Sequence, residues 1–357
     1  MRMIISVACV VAAALGTPAA AADPELVAAA QREGKVVVYS VLSNAAAAPL
    51  VQGFRALYPN IEVAYDGEKG STEMADAYAQ EVAQDKPSAD VVWSSAMDLQ
   101  MRFVEQGYAQ PYRSPEAAGL PAWASYRDLA YGTTAEPVAL VYNKQLLKAG
   151  EVPADHASLA RALLEQTERF RGKVTSFDPE KSGVGYMFAV ADARHYPELP
   201  RLLQGLARAD MKPSAGTGAM LTKINSGEYL LGYNIMGAYA LGRARTDLPN
   251  LGVVFPKDYT LVLSRVMFIS RQAAHPNAAK LWVDYLLSRE GQEVLGDKVG
   301  LFAIRSDART ERTAAALMKE LGASARPLAL DFSLTPFLAP QRQSQFLQER
   351  RALLTAP

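Results

Sequence analysis

From residue 24 onward the chain alternates short apolar runs with longer amphipathic stretches. Pro24–Glu33 is alanine-rich and helix-prone, and Gly34 is placed to end it, as a glycine just past a helix does. Lys35-Val36-Val37-Val38-Tyr39-Ser40 is a continuous apolar run and predicts a fully buried strand. Residues 45–58 carry Leu50, Phe54 and Leu57 at helical spacing, and Pro59-Asn60 breaks that helix. A strand at 61–65, a helix at 72–83, a strand at 89–93 and a helix at 97–106 follow. This rhythm predicts an α/β lobe with a parallel sheet. Glu136–Asn143 is a further strand. A helix at 156–170, a strand at 173–177, helices at 184–193, 197–209 and 219–226, a strand at 229–234, a helix at 237–245 and a strand at 251–255 form a second α/β unit. Residues 259–269 are again extended and apolar. Two lobes joined by the stretches near 136–143 and 259–270, with a cleft between them, account for this order. The expected first lobe is 23–135 plus 255–315, and the second is 136–254 plus 316–357. In the helix opened by Pro276-Asn277, Leu281, Trp282, Tyr285 and Leu286 form one stripe that reads as core packing.

The segment before residue 24 changes the picture from fold to location. Arg2 precedes an apolar run from Ile4 to Leu15, and Gly16 to Ala22 is a small-residue cleavage region. Residues 1–22 therefore read as a secretory signal with cleavage after Ala22. The run is too short to span a bilayer, which takes about 20 residues. The single cysteine, Cys9, falls inside it, so the mature chain has no disulfide or thiolate chemistry. Lys+Arg and Asp+Glu both number 37, and no basic stripe points to nucleic acid.

The three first-lobe strands each end in a loop rich in hydroxyl and small residues: Ser40 to Asn44, Gly70-Ser71-Thr72, and Ser94-Ser95. In open parallel sheets ligands bind outside the carboxyl ends of the strands. Helix N-termini there offer free N–H groups and partial positive charge, which suits an anion. The same residues also serve as ordinary N-caps. Motifs for catalysis are missing. His156, His195 and His275 have no zinc-ligand spacing. There is no Gly-x-Ser-x-Gly elbow and no Gly-x-x-x-x-Gly-Lys-Ser/Thr loop. Gly216-Thr217-Gly218 lacks the third glycine of a dinucleotide fingerprint. The expectation is a binding protein with no catalytic residue, cofactor or resident metal.

Several segments resemble the periplasmic solute-binding proteins of ABC importers, in the branch with ferric-iron-binding proteins and their organophosphate-binding relatives. They are residues 35–40, 88–95 (Ser-Ala-Asp-Val-Val-Trp-Ser-Ser), 139–143 (Ala-Leu-Val-Tyr-Asn), 226–229 (Ser-Gly-Glu-Tyr) and 279–292. The resemblance covers nearly all of 34–305. It implies the type II periplasmic binding fold: α/β, two-lobed, each lobe a mostly parallel sheet flanked by helices, with the ligand in the cleft and a hinge that closes. It also implies a soluble monomer in the periplasm that delivers its solute to an inner-membrane permease or signals to a sensor histidine kinase. Ferric members hold the metal through a His, a Glu and two adjacent tyrosines. Those positions fall here on Ser43, Ser95 and Gly237-Ala238, with Tyr239 close by. Neutral groups of this kind do not offset a trivalent cation. The branch's synergistic-anion turn matches Ser182-Gly183-Val184, and a second anion-side position matches Thr217.

The expected site therefore comprises Ser40, Ser43, Asn44, Ser71, Thr72, Ser94 and Ser95 of the first lobe, with Ser182, Gly183, Val184, Thr217, Tyr233 and Asn234 of the second. Arg265 is a charge partner or a hinge arginine. Glu136 accepts from sugar hydroxyls or marks a strand start. The expected ligand is a small organic anion: a sugar phosphate, a phosphoglycerate-like compound or a phosphonate. A carboxylate such as citrate, a ferric-iron carrier, and a secreted hydrolase of a phosphorylated substrate remain alternatives.

Overall fold

A computed structural model describes residues 23–355; the expected signal segment 1–22 lies outside the described residues. In chain order the strands are β1 (Lys35–Ser40), β2 (Glu62–Asp66), β3 (Val91–Ser94), β4 (Ser125–Tyr126), β5 (Ala130–Gly132), β6 (Glu136–Asn143), β7 (Val174–Phe177), β8 (Lys212–Ser214), β9 (Leu231–Met236), β10 (Leu251–Val254), β11 (Thr260–Leu263), β12 (Val266–Ile269) and β13 (Ala325–Pro327). They form two sheets. The first runs β2-β1-β3-β12-β5-β4, and the second runs β13-β11-β6-β9-β7-β8 with β10 also on β6.

Both sheets are mixed. Parallel pairing holds for β2-β1-β3, for β9-β7-β8 and for β11-β13, where helical crossovers intervene or the chain returns from the other lobe. The antiparallel pairs β3-β12, β12-β5, β6-β9 and β6-β11 involve the strands that pass between lobes or flank the passage. The chain leaves the first sheet after Gly132 and enters the second at Glu136. It returns between Leu263 and Val266. Residues 259–269, one extended stretch in the sequence, are thus two strands in two sheets, split at Ser264-Arg265. The expected boundary was 255; β11 pairs in the second sheet. A third passage, Gly322–Ser324, leads from the first-lobe helix Ala314–Leu321 into β13.

Local chemistry explains the elements. The Asp23 carboxylate accepts from the Glu25 amide at the start of the first helix, Pro24 sits in its first turn, and Gly34 closes it at φ +70°. Strands β3, β6 and β9 are covered on both faces, so they read as unbroken apolar runs. Leu281, Trp282, Tyr285 and Leu286 are buried on helix Pro276–Leu287. Trp282 packs on Phe54 with ring centroids 5.2 Å apart. Among the described residues no helix is long and apolar enough to cross a membrane.

Candidate functional site: the interlobe cleft

A cavity of about 230 Å³ lies where the two lobes meet. The first lobe contributes Ser43, Lys69, Gly70, Ser71 and Ser95. The second contributes Ser182, Val184, Gly216, Thr217, Gly218 and Tyr239. Arg265 reaches it from the return crossing. Helices begin at all of these loops. Helix Ser71–Ala83 follows Gly70, helix Thr217–Ser226 follows Gly216, and helix Gly237–Thr246 follows Met236; none has a side-chain cap. Their first N–H groups are left for a ligand, and the three helix dipoles place partial positive charge on the cavity. The lining includes two cations, Lys69 and Arg265, and no Asp or Glu.

Arg265 is the pivotal group. It is 6% exposed. Its Nε and Nη2 donate to the Glu136 carboxylate at 2.8 and 3.3 Å, and Nη1 has no partner among the described residues. Glu136, fully buried, also accepts from the Thr134 hydroxyl at 2.9 Å. The Arg265 amide donates to the Thr134 hydroxyl oxygen, and its carbonyl accepts from the Thr133 hydroxyl. These bonds sew the two crossings together, so Arg265 both ties the crossings and forms part of the cavity wall. Lys69 pairs with Asp66. That contact is the leading cause that raises the Lys69 ammonium and lowers the Asp66 carboxyl.

The lobes touch at a seam beside the cavity. The Val184 amide donates to Ser71 Oγ across it at 3.4 Å. A Cβ on Gly183 would stand 2.8 Å from Leu99 Cδ1 and 3.1 Å from Ser71 Oγ, so a larger residue there would press on both side chains. Asp98 is buried in the same seam, at the start of helix Met97–Glu105, which packs on helix Gly183–His195 and on Thr335–Leu338. Burial pushes its carboxyl up to about 7, against the opposing pull of the Leu99 amide and Arg102. Facing it, Tyr186 is pushed up to about 12, by burial first and by the Asp98 charge next.

A wider hollow of about 580 Å³ adjoins the cavity over Ser43, Ala46 and Tyr239. Arg243, Arg245, Lys298 and Arg312 line it, with Asp297 and Glu311. Burial, then the neighbouring Arg245, holds the Arg312 guanidinium below its usual value. A cationic surface of this kind concentrates anions.

The model for the bacterial extracellular solute-binding protein family matches residues 50–320. The chain belongs to that family. A substrate-binding protein of an ABC transporter from Agrobacterium tumefaciens is 32% identical; the match covers 90% of this chain and 94% of that one, with a TM-score of 0.85. Two more distant structures share the fold. The periplasmic binding protein AfuA from Actinobacillus pleuropneumoniae, with fructose-6-phosphate bound, is 20% identical over 91% of this chain and 99% of that one, with a TM-score of 0.70. The apo ferric ion-binding protein A of Pasteurella haemolytica is 18% identical over 89% and 98%, with a TM-score of 0.70. This solute-binding protein thus has the two-lobed type II architecture. Membership implies a small solute and an ABC permease as partners, and transport relatives support binding over turnover.

Of the residues expected in the site of this solute-binding protein, Ser43, Ser71, Ser95, Ser182, Val184, Thr217 and Arg265 come together around the cavity. Gly183 and Thr72 meet at the seam. Ser40 and Ser94 lie behind it, their hydroxyl oxygens accepting from the Leu42 and Ala96 amides. Asn44 accepts from the Gly67 amide and donates its own amide to Glu68, tying the first loop to the second. Glu136 faces Arg265 and not the cavity. Tyr233 and Asn234 point to the second lobe's interior, where both donate to Asp192 at 2.6 Å. Lys69 also lines the cavity and nothing in the sequence singles it out, whereas Gly70, Gly216, Gly218 and Tyr239 stand in or beside segments that the sequence marks. Gly70 and Gly216 carried a usable signal: each stands directly before a helix with no Ser, Thr, Asp or Asn to cap it.

Proposed function

We propose that this protein is the periplasmic solute receptor of an ABC importer and that its ligand is a compact, phosphorylated organic anion. The observation that carries the reading is Arg265: a buried guanidinium whose Nη1 has no partner among the described residues, in a side chain that lines a cavity without carboxylates. Lys69 and the uncapped starts of three helices add positive potential. A phosphate group suits such a set, since it accepts many hydrogen bonds at close quarters. The volume, about 230 Å³, falls below the roughly 300–1,000 Å³ of drug-sized sites. That favours a phosphonate or phosphoglycerate-like molecule over a larger sugar bisphosphate. The fructose-6-phosphate complex of AfuA shows that this fold accommodates a phosphate ester in that protein. The positions where ferric-binding relatives carry hard ligands hold Ser43, Ser95 and Gly237-Ala238 here. Tyr239 is the only phenol on the cavity, and Arg243 donates to its oxygen.

Calorimetry of the mature protein against phosphate esters, phosphonates, citrate and ferric citrate tests this. Micromolar binding of at least one phosphate-bearing compound, with no release of inorganic phosphate on prolonged incubation, is the expected result. Tight iron binding with tyrosinate charge-transfer colour would overturn the ligand assignment. Phosphate release at catalytic protein concentrations would overturn the receptor role.

A further inference from the structure

A second hollow lies in the second lobe, and it shares no lining residue with the cleft. It measures about 260 Å³ and is enclosed by the end of helix Gly183–His195, helix Leu199–Arg208 and the C-terminal helix Pro340–Thr355. Leu199, Leu203, Phe346 and Leu353 form apolar walls. Arg350 and Tyr196 supply the polar part.

Arg350 is 7% exposed, and its guanidinium makes no hydrogen bond or ion pair with any described residue. The carboxylate nearest in effect is Asp192. Its oxygens are already taken by Tyr233, Asn234 and the Tyr259 hydroxyl. The Tyr196 phenol is 9% exposed, and its oxygen also has no partner among the described residues. Burial raises the Tyr196 phenol, which keeps its proton, and lowers the Arg350 guanidinium, a cost to its charged form that no acceptor among the described residues offsets. Glu349, on the rim, accepts from Gln345 on its own helix.

We propose that this hollow is a second ligand site and takes a small amphipathic monocarboxylate. The apolar body packs on Leu199, Leu203 and Phe346, and the carboxylate accepts from the Arg350 guanidinium, whose planar fork matches it. A phosphate dianion fits less well, because four of the walls are apolar and only one cation is present.

Octanoate and benzoate are the probes, added to the full mature chain and read by calorimetry and thermal shift. The expected result is saturable binding that Arg350→Met weakens about tenfold or more, as loss of a charge-assisted hydrogen bond does, while binding of the cleft anion stays within twofold. Leu353→Trp, at a 37%-exposed rim position that tolerates bulk, is expected to block octanoate in the same selective way. Absence of binding at millimolar probe, or undiminished binding in both variants, would overturn the proposal. If Arg350→Met does not fold, the Leu353→Trp result decides.

Discussion

Replacing Arg265 with methionine is expected to lower affinity for the phosphate-bearing ligand by about a hundredfold or more, and also to destabilise the fold. The two effects have different origins. Binding falls because the cavity loses its only guanidinium. Stability falls because Glu136, with no exposed surface, loses both donors that Arg265 supplies. Breaking a buried pair from one side costs about 3–5 kcal/mol, whereas replacing both partners is often close to neutral. The double variant Arg265→Met with Glu136→Gln separates them. Its glutamine still accepts from Thr134, so denaturant unfolding should return most of the lost stability, while calorimetry should still show the loss of ligand. If the single variant binds within twofold of the native protein, Arg265 serves the hinge alone and the anion is held elsewhere.

A second large effect concerns pH. With the lobes together, the Asp98 carboxyl sits at about 7; with the lobes apart it returns toward the ordinary carboxylate value of about 3.9. Closure therefore takes up a proton between about pH 4 and 7. Affinity is highest at the acid end, falls as pH rises through that window, and levels off above about 7, where the closed form carries a buried, ionised carboxylate. Asp98→Asn removes that charge and keeps an oxygen for the Leu99 amide. Binding at pH 8 should tighten by about tenfold; the full shift of about three units would give more, but water penetration and relaxation reduce it. A phosphate ligand also titrates near pH 6, so the informative quantity is the difference between native and variant slopes with one ligand. Equal slopes would show that Asp98 takes up no proton on closure.

The parts of the fold that were legible in the sequence are those where one face or both faces are plainly apolar. Lys35–Ser40 and Glu136–Asn143 could be bounded from their runs, and Pro24–Glu33 from its cap, proline and glycine. The short strands β4, β5, β8 and β13 were not, because two or three residues carry no period. The division of 259–269 was hidden for another reason: apolar residues continue on both sides of Ser264-Arg265, and only pairing partners reveal two sheets. In the site, hydroxyl residues at helix starts could be found because capping leaves a local pattern. Lys69 could not, since nothing local says which surface side chains a second lobe will meet. Tyr233 and Asn234 were assigned to the cleft because a strand buried on both faces gives no alternation to tell cleft from interior. Their destination, Asp192, lies some forty residues earlier on helix Gly183–His195.

The third passage between lobes limits how far they can part. Two passages run side by side through Thr133–Ala135 and Ser264-Arg265, and alone they would act as a free axle. Gly322–Ser324 enters the second sheet beside the Thr260 end of β11 and not beside its Leu263 end. That offset is about 10 Å, three strand rises of roughly 3.3 Å. Any swing about the axle must therefore drag this short segment, which extends by at most about 3.3–3.6 Å per residue. If the lobes swing about that axle, this segment would act as a check strap, stopping the outward swing and restraining twist more than plain opening. Distances between labels on the two lobes of the unliganded protein should accordingly end at a sharp upper edge and not trail off.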